Sequence, residues 1–391
     1  MTIDLARARA DKPGADHVTH LNNCGAALPP RQVLDRVIGH LRLEATIGGY
    51  EAADREAEAL AGVYASAARM LNCGEDEIAI VENATRAWDM AFYSFRFKPG
   101  DRILTAEAEY ASNYISFLQV ARRTGAVIEA VPCDGAGQLD VAALRRMVDD
   151  RVKLVAVTHV PTNGGLVNPA AEIGRVARDA GIPYLLDACQ SFGQMPLDVE
   201  AIGCDMLSAT GRKFLRGPRG TGLLYVRRAL IDRLEPPFLD LHAATWTSVD
   251  RFAINPTAKR FENWESNVAA KLGFGAAIDY ATAWGLDAIY GRVRKLADEL
   301  RAGITRIPGA TLHDIGAERC GIVTFTLAGH APEAVKAALA AQRINVSTSS
   351  SASTRLDMTR RRLDKLVRTG VHYYNSEEEI ARTCATIAEL A

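Results

Sequence analysis

The chain is 391 residues long, enough for one large domain and a smaller one with a core that needs no staples. Lys plus Arg (46) and Asp plus Glu (47) nearly cancel, which removes the basic signature of a nucleic-acid binder. No apolar run reaches the length of a membrane span, the opening segment lacks the apolar stretch of a secretory signal, and seven scattered cysteines without CxxC spacing argue against a zinc site or a disulfide framework and for a reduced, cytoplasmic setting.

In chain order, residues 31–72 read as helical, with apolar and small residues at helical spacing. From 78 the pattern alternates. Short apolar strands are expected at Ile78–Val81, Arg102–Thr105, Val127–Val131, Leu154–Thr158, Tyr184–Asp187, Asp205–Ser208 and Gly222–Val226. Helices are expected at Ala84–Phe95, Ser112–Thr124, Val141–Val148 and Ala171–Ala180. Such alternation implies an α/β fold with a mostly parallel seven-stranded sheet covered on both faces. Residues 237–268, with His242, Trp246 and Trp264, show little periodicity and read as a long loop that shapes a pocket or an interface. From about 290 a helix at 287–306, a strand at Gly321–Leu327, a helix at 332–341, a strand at Ile344–Ser347 and a helix at 376–390 read as a smaller α+β domain.

Three segments carry chemistry. Leu185-Leu186-Asp187-Ala188-Cys189-Gln190 ends an apolar strand in a carboxylate, at the edge where open α/β sheets bind ligands; a helix N-cap would look the same. Ser208-Ala209-Thr210-Gly211-Arg212-Lys213-Phe214, followed by Gly217-Pro218-Arg219-Gly220, puts a lysine in a Gly-rich turn after a strand. A random lysine is most often a solvated surface residue. One in such a turn is costly unless its amine is neutralised or bonded, and a Schiff base to an aldehyde cofactor does that. Glu82-Asn83-Ala84-Thr85-Arg86-Ala87 places small residues at a strand-to-helix junction, where backbone N–H groups and a hydroxyl make a phosphate cradle or an ordinary cap. Together the three meet what pyridoxal 5′-phosphate needs: an amine for the aldehyde, a cradle for the phosphate and a carboxylate on the ring nitrogen.

With these motifs the chain resembles the fold-type I pyridoxal-phosphate enzymes of aminotransferase class V, the group of cysteine desulfurases, selenocysteine lyases and isopenicillin-N epimerase-like proteins. The resemblance runs from about Leu21 to Asn375. It implies Lys213 as the Schiff-base lysine, Asp187 on the pyridine nitrogen, Gln190 near the 3-hydroxyl, and Ala84, Thr85 and Thr210 at the phosphate. Arg212 stands where desulfurases carry histidine and is expected to bond phosphate as a cation. Glu109-Tyr110-Ala111-Ser112-Asn113 replaces the family's E-H-H-A-N, so Tyr110 is expected to stack on the ring unless it is an ordinary loop tyrosine. In Thr158-His159-Val160-Pro161-Thr162-Asn163-Gly164-Gly165, Thr162 or Asn163 would face the cofactor oxygen, and His159 is either functional or a packed core histidine. Val367-Arg368-Thr369-Gly370-Val371-His372-Tyr373-Tyr374-Asn375 is similar to the segment whose Arg clamps the substrate α-carboxylate, which assigns Arg368 to that task. Asn23 would line the substrate pocket. The resemblance also implies a homodimer, with Trp264 or Ser266 crossing the interface, and a division into an arm (1–30), a large cofactor domain (31–285) and a small domain (286–391).

Desulfurases of this family bear a nucleophilic Cys just before the carboxylate-binding Arg. Here that region is a Ser/Thr run at 347–354, read as a lid or a hydrogen-bonding loop, and no Cys lies between Cys320 and Cys384. Ser is no persulfide carrier, so ordinary desulfurase chemistry is not expected. β-Elimination needs no such Cys. The lysine turn and Gly48-Gly49-Tyr50-Glu51-Ala52 look similar to C–S lyases of ergothioneine-type biosynthesis, although Gly-Gly-Tyr is equally a helix break. The expected activity is therefore a pyridoxal-phosphate C–S lyase acting on an S-substituted cysteine or its sulfoxide, releasing pyruvate and ammonia. A class V aminotransferase or epimerase is the alternative. A cofactor-binding regulator without catalysis fits less well, for want of an appended basic module.

Overall fold

The computed structural model describes residues 3–391. A seven-stranded sheet organises the first two thirds of the chain. Its strands, in chain order, are β1 (Ile78–Val81), β2 (Arg102–Ala106), β3 (Val127–Val131), β4 (Val152–Thr158), β5 (Tyr184–Asp187), β6 (Met206–Thr210) and β7 (Gly222–Val226). They lie in the order β1-β7-β6-β5-β4-β2-β3, and β7 alone runs against its neighbours. The period-2 alternation of a strand sends Ile78 and Ile80 to one face and Ala79 and Val81 to the other. Because helices cover both faces, both sets are buried, which is why these strands read as unbroken apolar runs. One face packs under Trp88, Phe92 and Phe117, the other under Phe274 and Ile278.

The antiparallel return of β7 matters for the site. Thr210 pairs with Gly222, so residues 211–221 form the whole β6–β7 connection, and Lys213 stands on it at the C-terminal edge of the sheet. Gly222 has no room for a side chain: a Cβ there would lie 2.7 Å from the Ala209 carbonyl oxygen and 2.7 Å from Asn83 C. This close approach draws helix α1 (Ala84–Phe92) onto the end of β7.

A four-stranded antiparallel sheet in the order β8-β9-β11-β10 follows, built from β8 (Ala310–Leu312), β9 (Ile322–Leu327), β10 (Ser347–Ser350) and β11 (Lys365–Gly370). The Ser/Thr run is thus half strand and half tight turn. Residues 31–72 are three helices, Arg31–Ile47, Gly49–Arg55 and Ala57–Leu71, interrupted at Gly48, whose φ of 102° few other residues adopt. Tyr50 is exposed just past this break. Residues 244–254 are a hairpin (Ala244–Ser248 and Arg251–Ile254) carrying exposed Trp246, Val249 and Phe252, and Trp264 is exposed beyond it. His242 is bonded to Glu262 at 2.9 Å.

The arm, the lysine turn and the end of the small sheet meet at a buried junction. His372 donates to the Phe214 carbonyl (2.7 Å), and Tyr374 donates to Asn23 Oδ1. Arg216, three residues past Lys213, holds a left-handed backbone (φ 68°) and is 2% exposed. It donates to the Tyr373 hydroxyl (2.7 Å), and its guanidinium lies 5.0–5.2 Å from the rings of Tyr280, Tyr373 and Tyr374. These contacts hold the turn in a conformation a non-glycine residue would otherwise leave.

Lys12 is 3% exposed at the same junction, over the Tyr374 ring, and its Nζ has no acceptor. Burial, aided by the charge of Arg216, pushes its amine down to about 4 from an ordinary 10.5. The unfolded chain binds that proton up to about pH 10.5 and the folded chain releases it above about pH 4. Unfolding therefore takes up a proton, and Lys12 makes stability rise with pH across this window. Lys12→Met is expected to raise the unfolding free energy at pH 7 by roughly 1–3 kcal/mol, the cost of an unsatisfied buried donor, and to flatten its pH slope. Urea unfolding at pH 6 and pH 9 measures both; an unchanged slope would refute the assignment.

Candidate active site

The site is built at the C-terminal edge of the seven-stranded sheet. A groove of about 730 Å³ at the opposite edge, beside Asp101, Val152 and Pro183, carries no comparable set of groups. Asp187 ends β5, 4% exposed, where its Oδ1 accepts from Cys189 N (2.8 Å) and its Oδ2 from the Asn113 side-chain amide (2.9 Å). Lys213 is half-buried, and among the described residues its Nζ has no hydrogen bond or ion pair. It lies close enough to Cys189 for its charge to act on that thiol.

Helix α1 begins beside Gly222. Asn83 caps it by accepting from Arg86 N (2.9 Å), while Ala84 is buried and Thr85 exposed. Thr210, at the end of β6, is buried, and its hydroxyl reaches only the Thr221 carbonyl at 3.4 Å. Arg212 instead turns to the arm: its guanidinium donates to the Gly25 carbonyl, and its own carbonyl accepts from Ala27 N (2.9 Å). Arg212 and the arm are thus joined by a reciprocal pair of bonds. Asn23 is fully buried with every polar side-chain atom engaged, by the His20 and Gly370 carbonyls and by the Tyr374 hydroxyl, so it ties the N-terminal segment to the end of β11.

Tyr110 is half-buried at the start of helix α2 (Ala111–Thr124), its backbone N–H donating to Glu109. His159 is a core histidine: its Nδ1 meets Ser191 Oγ (3.0 Å), and burial pushes it down to about 4, so it is neutral at physiological pH. Arg368 reaches from β11 to the large sheet's side, donating to the Thr162 hydroxyl and to Ser347 Oγ (3.1 Å). Asn163 donates to Thr354 Oγ1 (2.9 Å), and Ser353 accepts from Ala111 N (3.0 Å), so the turn after the Ser/Thr strand is docked on the site.

The residues fit pyridoxal 5′-phosphate. Gln190 Oε1, Asn163 Oδ1 and Ser208 Oγ are buried without a partner, which a polar ring can supply. A free amine, a buried carboxylate and a capped helix N-terminus pressed against Gly222 stand on the same edge. Among the described residues no group of three or more His, Cys, Asp or Glu side chains forms a metal centre, and no helix is long and apolar enough to cross a membrane.

Three participants had no role in the sequence reading. Glu109 and Asn113 were visible only as letters of a motif, yet they touch Asp187's side of the site. Their i,i+4 spacing at a strand-to-helix junction is the one local sign that both face it. Cys189, held in the D-A-C-Q strand end, is the thiol beside Lys213. Burial pushes it up to about 12, with Lys213's charge opposing and Asp187's adding, so it keeps its proton.

The aminotransferase class-V family profile matches residues 19–383. A probable cysteine desulfurase of Methanothermobacter thermautotrophicus is 31% identical over 347 residues, covering 88% of this chain and 86% of that one. The apo structure of the cysteine desulfurase from Thermococcus onnurineus superposes with a TM-score of 0.92 at 26% identity, covering 100% of this chain and 98% of that one. The cystine C–S lyase C-DES, in complex with its reaction product cysteine persulfide, shares the fold at a TM-score of 0.87 and 24% identity, covering 96% and 99% of the two chains.

Proposed function

The chain belongs to the aminotransferase class-V family and is a pyridoxal-phosphate enzyme of fold type I, and from that premise we propose that it is a C–S lyase that removes the sulfur of an S-substituted cysteine, or its sulfoxide, by β-elimination. One observation carries the choice within the family: no thiolate is available to take up sulfur. The segment from Ser347 to Arg368 holds no Cys, and the thiol beside Lys213, Cys189, is half-buried and keeps its proton, its thiol pushed up to about 12. Relatives named cysteine desulfurases, and a structural neighbour named a cystine C–S lyase, support carbon–sulfur chemistry.

When bound, pyridoxal 5′-phosphate supplies an aldehyde for an amine and an electron sink that acidifies the bonds at the substrate Cα. The chain supplies the rest. Lys213 would hold the aldehyde and, with its amine free, would take the substrate Cα proton; among the described residues that amine has no partner to compete for it. Asp187 would hold a proton at the ring nitrogen, and Gln190, whose Oε1 is buried without a partner, would offer it to the ring's 3-hydroxyl. Ala84 and Thr85, at the start of α1, and Thr210 would hold the phosphate. Arg368 grips the substrate α-carboxylate with the fork that now rests on Thr162 and Ser347, and Ser353 and Thr354 close the turn over the site against water. Tyr110 would stack on the ring. The same reading pairs the chain with a second copy through the face that exposes Trp246, Phe252 and Trp264.

S-alkyl and S-aryl cysteines, and their sulfoxides, are expected to yield pyruvate, ammonia and a thiol or sulfenic acid in equal amounts, while cysteine leaves no persulfide on the protein. A lactate-dehydrogenase-coupled assay and mass spectrometry of the protein measure these. No pyruvate from any such substrate would refute the proposal; a stable pyridoxamine form would indicate transamination, and racemised substrate epimerisation.

A further inference from the structure

We propose that Glu109 is a positioning residue for Asp187, joined to it through Asn113, and that cofactor binding at Asp187 drives a proton off Glu109. The proposal rests on the reading that Asp187 meets the ring nitrogen, and it extends that reading to two residues outside the family motif's assigned roles.

The geometry is a bridge. The Asn113 side-chain nitrogen has two hydrogens and sits between two carboxylates, donating to Glu109 Oε1 and to Asp187 Oδ2, each at 2.9 Å. Glu109 is 3% exposed. It accepts further from the Tyr110 N–H (2.8 Å), the Thr158 N–H (3.0 Å), the Thr158 hydroxyl and the Thr105 hydroxyl (3.1 Å). Among the described residues no cation touches either carboxylate. Two buried like charges tied to one amide cannot both ionise freely, so one of them takes up a proton near neutrality.

That group is Glu109. Burial first, then the charge of Asp187, push it up to about 7 against the pull of its donors. The other titratable groups around it do not compete. Tyr184, on β5, is pushed far up by burial and stays neutral. His159, after β4, is neutral as described, and Tyr110 presents its backbone. Glu107, two residues upstream, is paired with Arg360. Cys189, beside Asp187, keeps its proton because burial pushes its thiol up to about 12, and Lys213 is not among the groups that act on Glu109. The carboxylate whose charge acts on Glu109 is therefore that of Asp187.

Linkage fixes the sign. Asp187, once paired with a cationic ring nitrogen, projects less negative field onto Glu109, and Glu109 then gives its proton to solvent. The cofactor-free protein holds more protons than the loaded one, so this coupling tightens binding as pH rises through neutrality, by up to about tenfold per pH unit.

The test is equilibrium titration of the full chain, freed of cofactor, with pyridoxal 5′-phosphate from pH 6 to 8.5, followed by absorbance. It compares wild type, Glu109→Gln, Thr158→Val and Asp187→Ala. The slope of log Kd against pH is expected to be steeper in wild type than in Glu109→Gln by up to one proton. Thr158→Val, which removes a donor that favours the ionised form, should move the wild-type transition to higher pH. Parallel lines for wild type and Glu109→Gln would overturn the coupling. If Glu109→Gln does not fold, an unmoved transition in Thr158→Val does so instead. Asp187→Ala separates the two claims: if it leaves affinity unchanged, the ring-nitrogen reading fails; if it destroys affinity while wild type and Glu109→Gln stay parallel, only the coupling fails.

Discussion

Lys213→Ala is expected to lower turnover at least about a thousandfold and to abolish the visible or near-ultraviolet band that the cofactor acquires when joined to the protein. The magnitude combines two losses. A positioned general base contributes on the order of 10²–10⁴ in rate, and the amine that anchors the aldehyde goes with it. The fold should tolerate the change. Lys213 is half-buried, makes no hydrogen bond or ion pair among the described residues, and stands in a turn held by other contacts: Gly217 N to the Gly211 carbonyl (2.7 Å), Arg216 to Tyr373, and His372 to Phe214. Unfolding curves of variant and wild type should therefore coincide while the spectra differ. A variant with an unchanged band would remove the central assignment, and Asp187 and the phosphate turn with it.

Arg368→Ala is expected to raise KM for the amino-acid substrate by roughly a hundredfold, with a smaller effect on kcat. Two charge-assisted hydrogen bonds to a carboxylate, at about 1.5 kcal/mol each, amount to about 3 kcal/mol, or close to two factors of ten. Arg368→Lys should fall between the two, because an ammonium keeps the charge and loses the fork. The side chain also rests on Thr162 and Ser347, across the seam between the two sheets. The substrate's amide analogue distinguishes clamp from seam: it should bind wild type as weakly as the natural substrate binds Arg368→Ala. If the amide and the acid bind wild type alike, Arg368 is a structural residue.

Most strands of the large sheet were legible because each is a short apolar run buried on both faces, and Asp187 and Lys213 were singled out by their places after strand ends. Other elements were not. The helix Val268–Trp284 is surrounded by protein on most sides and so lacks the polar face by which a helix is recognised. The hairpin at 244–254 carries its apolar side chains outward, with no buried stripe to mark it. The strand Lys365–Gly370, which carries Arg368, was read only as a motif, since it needs β9 and β10 on its two sides to be a strand at all.

By itself the sequence marked the candidate amine, carboxylate and phosphate cradle, because each is a local feature: a residue type at the end of an apolar run, followed by small residues that permit a turn. Only the tertiary structure decided what those groups touch. Arg212 turned to Gly25, 187 residues away, and Asn113 was brought to Asp187, 74 residues away. Such pairs form when strand order and the β6–β7 return set which edges meet, and spacing along the chain says nothing about that.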